Sequence, residues 1–359
     1  MRMRLISLAA LSLALAACGG SSDPEVQETG PTPELPELDQ SLIPSMHIAP
    51  PGQWNGDLPA VPEGFTISVV ADDLNAPYGM AFVDGNLYVA NQDAVMRFPY
   101  QEGQTEITAP GEELTPLPSE LNHHWTKAMT ASADGRFLYV GIGSNSNAGE
   151  RGMAVEEERA VIWEIDRETG ARRTIARGIR NPTALAIEPT TNQLWSVVNE
   201  RDELGPQLVP DYLTQVRDGA FYGWPYSYWG QNLDPRVRPQ DPDLVATAIA
   251  PDYALGAHVA SLGLDFAVDG GFGGAFTTGA FVGMHGSWNR QDLSGYKVVW
   301  VPFTNGRPSG PPIDLVTGFL NDDDEARGRP VGVLFDPRTR ALFIADDMAN
   351  VVWRVAPEG

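Results

Sequence analysis

Cysteine and lysine are nearly absent from this chain: Cys18 is the single thiol, and Lys127 and Lys297 are the only lysines among 359 residues. One thiol cannot form an intramolecular disulfide, so the fold must rest on packing and hydrogen bonding even in an oxidising compartment. Basic side chains are outnumbered 24 to 47 by acidic ones, for a formal net charge of -23. A surface of that sign repels phosphate backbones and anionic head groups, which excludes nucleic acid as a partner; the acidity mainly confers solubility.

Between Gly19 and Leu58 the missing feature is any sustained apolar period. Pro, Glu, Ser and Gly dominate there, so residues 18–58 read as a disordered tether. Ahead of it, Arg2 and Arg4 precede the apolar run Leu5 to Ala17, which is too short to span a bilayer, and residues 1–17 read as a signal peptide. Removing Arg2 and Arg4 moves the formal charge from -23 to -25. The run closes on Leu15-Ala16-Ala17-Cys18-Gly19, small residues directly before the lone cysteine, which resembles the bacterial lipoprotein box. Cys18 then becomes the lipidated first residue, and the protein is expected in the periplasm or on the outer surface, attached to a membrane through its lipid anchor alone.

Residues 59–359 contain no linker-like division, and about 300 residues suffice for one large domain. A cassette recurs through them: Pro, a short apolar strand, a turn, and a second apolar strand ending near Ala or Gly. It runs from Pro77 to Ala90, returns from Pro330 to Ala345, and has weaker copies at Met129–Gly141, Pro182–Val198 and Leu262–Gly283. A third strand often follows, as in Val161-Ile162-Trp163-Glu164-Ile165 and Val351-Val352-Trp353-Arg354-Val355. Strands of this size and β-branched content, repeating with a period near ~50, predict an all-β fold, a six-bladed β-propeller of four-stranded antiparallel blades. The unpartnered segment Phe65–Val70 is expected to complete the last blade and so close the ring. A pair of β-sandwiches is the competing architecture, and the chain lacks its Greek-key spacing.

Five motifs are superimposed on the cassettes: His123-His124-Trp125, Gly178-Ile179-Arg180-Asn181-Pro182, Asn199-Glu200-Arg201-Asp202, Gly219 to Pro225, and His285-Gly286-Ser287-Trp288-Asn289. In this order they resemble the pyrroloquinoline quinone (PQQ) dependent sugar dehydrogenases, the sorbosone-type members being nearest, over about Phe65 to Pro357. The resemblance implies PQQ and calcium (Ca2+) as cofactors and an aldose or sugar aldehyde as substrate. It also implies a catalytic histidine and an unidentified cytochrome or quinone as electron acceptor. It matches His124 to the general base, with His123 one residue off, and matches Arg180 and Asn181 to the cofactor-binding pair. Lys127 stands near the place where the family carries an arginine, while His285, Arg290 and Lys297 are further cofactor candidates in the late loops.

The resemblance also implies calcium ligation at Glu200, Arg201 and Asp202, although the family's Gly-Pro turn is replaced here, which leaves the exact ligands open. Tyr222 and Trp224, in a segment crowded with aromatics, are candidates to stack on a sugar. Arg180 is expected to serve the cofactor with little role in folding. Asp322-Asp323-Asp324-Glu325 reads as a solvated loop. A calcium-dependent hydrolase of the gluconolactonase-like propellers and a non-catalytic propeller that binds partners are the alternative functions, the latter favoured if His124, Arg180 and Glu200 lie on different faces. The anchor is testable by itself: Cys18→Ser should move the protein from the membrane to the soluble fraction on cell fractionation, and a wild-type protein found soluble would remove the lipoprotein reading.

Overall fold

Short apolar strands separated by tight turns pair with their chain neighbours, because the intervening residues permit nothing longer than a hairpin. The computed structural model describes residues 27–39, 41, 43–71, 80–104, 106–121, 123–267 and 271–358. The signal peptide, Cys18, the start of the tether, and Pro77 to Gly79 of the first cassette lie outside the described residues.

Blade 1 comprises Met80–Val83, Asn86–Ala90, Ala94–Pro99 and Glu112–Pro116; blade 2 comprises Lys127–Ala131, Phe137–Ile142, Val161–Asp166 and Arg172–Arg177. Blade 3 takes Pro182–Glu188, Gln193–Val198, Pro210–Gln215 and Tyr253–Ala257, and blade 4 takes Ser261–Ala267, Gly279–Met284, Lys297–Thr304 and Ile313–Val316. Blade 5 joins Pro330–Asp336, Ala341–Asp346 and Val351–Pro357 to the early strand Phe65–Ala71, whose Phe65 pairs with Pro357. The last blade is thus completed by the segment expected to do so. The first strand of each blade touches that of the next from blade 1 through to blade 5.

The chain is therefore a β-propeller, but the described residues form five blades where six were expected. The expected number came from dividing the domain by a period that the chain does not keep. Between Pro210–Gln215 and Tyr253–Ala257 lies a long excursion that includes Ala220–Phe221, hydrogen-bonded in parallel to the edge of blade 2, and a small hairpin of Ser227–Tyr228 with Asn232–Leu233. Length that was counted as a blade is spent on linking two blades.

The core lies between blades. Tyr88 and Val95 of blade 1 meet Leu138, Val140 and Trp163 of blade 2, and the aromatic side chains Phe272, Phe281, Trp300, Phe335 and Trp353 fill the space between blades 4 and 5. On strands of blades 5 and 1, Val69, Val70, Met80, Phe82 and Leu334 remain exposed.

The segment expected as a solvated tether is laid against the domain from residue 27 onward. Thr29–Gly30 pairs antiparallel with the outer strand of blade 3, Asp39 N–H donates to the Leu204 carbonyl at 2.9 Å, and His47 N–H to that of Trp288 at 3.0 Å. Ala49 is buried, and Trp54 packs edge-on against Phe319 and Trp353. Among the described residues no helix is long and apolar enough to cross a membrane.

Blades 4 and 5 approach so closely at their inner edge that a Cβ on Gly263 would stand 2.2 Å from the Val331 carbonyl oxygen and 2.9 Å from the Val333 nitrogen. Backbone cannot yield there as a side-chain tip can. Gly263→Ala should cost about 1–3 kcal/mol, read as a lowered urea midpoint with an unchanged m-value; an unshifted midpoint would show that the seam is slack.

Candidate active site

Every blade enters through its inner strand in the same sense, so residues just before an inner strand and just after a second strand collect on one rim. The chain reaches that rim at His123-His124, Gly143 to Asn147, Arg180-Asn181, Asn199 to Asp202, His258 to Ala260, His285 and Asp347.

His124 is held by its Nδ1, which lies 2.9 Å from the Ser144 carbonyl and 3.0 Å from Ser144 Oγ. A carbonyl only accepts, and the Ser144 hydroxyl already donates to the Ser146 carbonyl at 2.6 Å, so Nδ1 must carry the proton. Nε2 is left as the lone-pair nitrogen, the form a base requires. Burial lowers the His124 pKa to about 2, with the charge of Arg180 as the next cause and His123 after it. The same two effects, burial first and Arg180 second, lower that of His123. Only glycine can stand beneath this ring: a Cβ on Gly143 would lie 2.5 Å from the Cβ of His124 and 2.4 Å from Oδ1 of Asn181. That Oδ1 is buried and takes no hydrogen bond.

Arg180 is 4% exposed, and all five of its donors are engaged. Nε bonds the Asn147 carbonyl at 3.1 Å, Nη1 the carbonyls of Asn199 and Glu200 at 3.3 and 2.6 Å, and Nη2 Oδ1 of Asn147 and Oδ2 of Asp202 at 3.0 and 3.2 Å. The guanidinium is thus a structural clamp as well as a charge, which differs from the expectation that it stands apart from folding. Most of its partners are neutral, so its field persists at both histidines. Asn147 also accepts from Asp202 N–H and, through its carbonyl, from the Trp224 indole at 2.8 Å.

Asp202 faces Arg180 with one oxygen and Nδ1 of His258 with the other at 3.4 Å. Burial pushes its carboxyl up, yet His258 and Arg180 together hold it below the usual range. Arg201 turns away to an ion pair with Asp234. The Glu200 carboxyl is buried, which raises its pKa to about 7; Oε2 accepts from Arg201 N–H at 3.0 Å, and Oε1 has no partner. Asp211 caps the backbone N–H groups of Glu200 and Ala260 at 2.8 and 2.7 Å, tying the rim loops of blades 3 and 4 together.

The remaining candidates divide. Lys127, buried at the foot of the His124 loop, donates to the Trp125 carbonyl at 2.9 Å, and burial lowers its pKa to about 8. Trp224 reaches the rim through Asn147. Tyr222 does not: it is fully buried between blades 2 and 3, with its hydroxyl donating to the Gln215 carbonyl at 2.6 Å. His285 lies on the rim at the other side, with Nε2 3.1 Å from Asp347 and Nδ1 3.4 Å from Nη1 of Arg329. Arg290 bonds Glu28 and Lys297 pairs with Asp314 at 2.7 Å, so neither joins the His124 cluster.

Sequence reasoning missed the loop Gly143 to Asn147, which supports both His124 and Arg180, and the two side chains Asp211 and His258. The loop had a signal: Gly143-Ser144-Asn145-Ser146-Asn147 follows a second strand just as Asn199-Glu200 does. Asp211 and His258 had none.

A β-propeller with a neutral histidine and a buried guanidinium gathered on one rim falls in the class of the PQQ-dependent sugar dehydrogenases that its motifs resemble. Comparison with known proteins refines that class. A TrAA12-like family model matches residues 59–217 and 227–358, and the chain belongs to that family. It is 24% identical over 338 residues to a Hypocrea jecorina PQQ-dependent sugar dehydrogenase, covering 79% of this chain and 75% of that one. It is 26% identical to an uncharacterised protein of Borreliella burgdorferi over 80% of this chain and 78% of the other. A 32% match to the Coprinopsis cinerea PQQ-dependent pyranose dehydrogenase covers 30% of this chain and 16% of that protein. Among solved structures, a Trichoderma reesei carbohydrate-active enzyme of family AA12 has a TM-score of 0.71 at 19% identity, covering 83% of this chain and 97% of that one. The holo PQQ domain of the Coprinopsis pyranose dehydrogenase has a TM-score of 0.69 at 20% identity, covering 88% and 100%.

The rim residues fit an anionic, hydrogen-bonding cofactor. The field of Arg180 favours carboxylates, while Asn181 Oδ1 and His124 Nε2 are uncommitted acceptors, open to an N–H or O–H donor of the cofactor or substrate. They do not form a ready calcium cage. The Glu200 carbonyl serves Arg180, the Asp202 carbonyl accepts from Nε of Arg201 and Nδ2 of Asn147, and the Asp202 carboxylate is taken by Arg180 and His258. No cluster of three His, Cys, Asp or Glu among the described residues is placed to hold a metal.

Gly143→Ala tests the His124–Asn181 contact. The added methyl must separate the two side chains, and turnover in the PQQ-loaded protein should fall at least ~10²-fold, the scale of a 1 Å misplacement. Full turnover in a folded variant would show that the contact is dispensable.

Proposed function

We propose that this chain oxidises an aldose or a sugar aldehyde, of the glucose or sorbosone kind, to a lactone or acid in a PQQ-dependent reaction. The observation that carries the reading is the tautomer of His124, a neutral imidazole with its Nε2 lone pair free, set against the uncommitted oxygen of Asn181 and in the field of Arg180. PQQ, when bound, supplies the acceptor for the two electrons that leave the substrate carbon. Arg180 would attract it through its charge alone, its five donors being spent on the rim, and Asn181 is the neighbouring residue that would contact it.

The chain's own part is proton transfer and positioning. His124 Nε2 takes the proton of the substrate hydroxyl, and the Ser144 carbonyl, bonded to Nδ1–H, keeps the ring oriented and steadies the imidazolium that forms. After burial, Arg180 is the main reason that His124 is a weak base in the free protein, so an anionic ligand that offsets Arg180 strengthens the base where it is needed. One solved structure of the AA12 relative is a calcium structure, but Glu200, Arg201 and Asp202, committed as they are, do not offer a calcium site in this chain. The lipid anchor at Cys18 and an external cytochrome or quinone as final acceptor belong to the same reading.

His124, Arg180 and Glu200 share one rim, which disfavours a partner-binding propeller with no active site. The gluconolactonase-like alternative needs carboxylates converging on the channel, whereas Asp202 is tied to Arg180 and His258.

His124→Gln keeps size and a hydrogen bond but cannot accept a proton near neutrality. Turnover should drop roughly 10²-fold or more with PQQ still bound, and His123→Gln should cost much less. Because the pKa is lowered, the imidazole of the free protein should stay neutral as pH falls from 8 to 5, with the proton on Nδ1. A ¹⁵N imidazole spectrum in which His124 titrates within that window would overturn the lowered pKa, and equal small losses in both variants would remove His124 as the base.

A further inference from the structure

His258 is buried on the turn that leads from blade 3 into blade 4, and both of its ring nitrogens are engaged. Nε2 lies 2.9 Å from the Gly205 carbonyl, and Nδ1 lies 3.4 Å from Oδ1 of Asp202. A carbonyl and a carboxylate only accept, so both nitrogens carry protons and the ring is an imidazolium. Its turn is fixed: Asp211 caps the Ala260 N–H at 2.7 Å, and the His285 N–H donates to the Ala260 carbonyl at 2.9 Å. The Gly205 loop is pinned from the other side by the N-terminal strap. Asp39 N–H donates to the Leu204 carbonyl, and Arg236 bonds the carbonyls of both Glu203 and Asp39.

Asp202 is thereby divided between two cations. Its Oδ2 takes Nη2 of Arg180 at 3.2 Å, while Oδ1 is turned to His258. Of the acceptors named above around Arg180 it alone is charged, the others being carbonyl and amide oxygens. An arginine and a carboxylate tend to pair through two parallel bonds, and His258 denies Asp202 the second. The bond that such a pair would displace is the longest one, that of Nη1 to the Asn199 carbonyl at 3.3 Å. Asp211, another carboxylate acting on the His258 ring, is spent on the backbone N–H groups of Glu200 and Ala260. The balance of charge reaches the base loop: at His123, burial first and Arg180 second lower the pKa, while Glu150 and Asp202 act against them.

We infer that His258 is a positioning residue for the cofactor: by holding one oxygen of Asp202 it keeps that carboxylate from closing a two-bond pair with Arg180, and so preserves the positive field that draws an anionic cofactor to the rim. The role deepens the function proposed above and rests on it. Without His258, Asp202 is free to turn both oxygens to the guanidinium, and the field at the rim falls. Arg180 has no spare donor to offer, so its charge is what this arrangement protects.

The test reads the ¹⁵N titration of His123 in the apoprotein and the binding of PQQ to the same samples. In His258→Gln, which keeps a donor for Gly205 and loses the charge, the His123 midpoint should rise toward the ordinary histidine value and the Kd for PQQ should weaken about tenfold. Asp202→Asn added to that variant removes the carboxylate that quenches Arg180 and should restore most of the lost affinity; a merely structural histidine would not be rescued by a second lesion. An unmoved or lowered His123 midpoint in His258→Gln, an unchanged Kd, or a double variant as weak as the single one overturns the role. If His258→Gln does not fold, the wild-type ¹⁵N imidazole spectrum at pH 7 decides: protons on both Nδ1 and Nε2 of His258 support it, and one bare nitrogen overturns it. If wild type binds no PQQ, the proposed function fails, and the His123 midpoint alone decides whether His258 guards the field of Arg180.

Discussion

A guanidinium that has been removed from water must have its donors satisfied, and Arg180 imposes that condition on the rim of this propeller. Five N–H groups need five acceptors, and the chain supplies them from two loops, Asn147 on one side and Asn199, Glu200 and Asp202 on the other. Leaving any of these unpaired in a buried site costs more than the bond contributes when made, so the loops are held in one arrangement. The loop that ends at Asn147 begins at Gly143 and Ser144, and these position His124. The clamp on the cation and the orientation of the base are therefore one construction.

The propeller makes this possible by repetition. Each blade supplies the same two rim positions, before its inner strand and after its second, and neighbouring blades bring those positions within side-chain reach. Asp211 shows the same economy of form: one buried carboxylate caps loops from blades 3 and 4. The excursion after Pro210–Gln215 extends it across blades, since it lends a short strand to blade 2 and sends the Trp224 indole to Asn147. The N-terminal strap adds a second belt, running past Leu204, Trp288 and Ala326 before its strand joins blade 5.

Electrostatically the rim differs from the rest of the molecule. A chain with a net charge of -23 keeps an arginine and two histidines together where burial, and after it the charge of the first, depresses the basicity of the others. The imidazole of His124 is therefore neutral in the field of a buried cation.

The all-β class, the strand cassettes, the closing strand and the motifs at His124, Arg180 and Asn199 to Asp202 were legible in the sequence, because period-two alternation, turn residues and contiguous motifs are local properties. The blade number was not, since a long insertion and a blade occupy the same length of chain and differ only in what they pair with. Nor was the course of residues 27–58, whose composition resembles a tether but whose backbone finds partners on the domain. Tyr222 and Trp224 looked alike as aromatics; packing placed one hydroxyl in the core and one indole on the rim. Glu200, Arg201 and Asp202 were adjacent in sequence, and only the fold sent them to different partners, because neighbouring side chains diverge and each is satisfied by whatever element lies across from it. The role of Gly143 was beyond any sequence pattern: it depends on the distance between two other loops, and distance between loops is what tertiary structure decides.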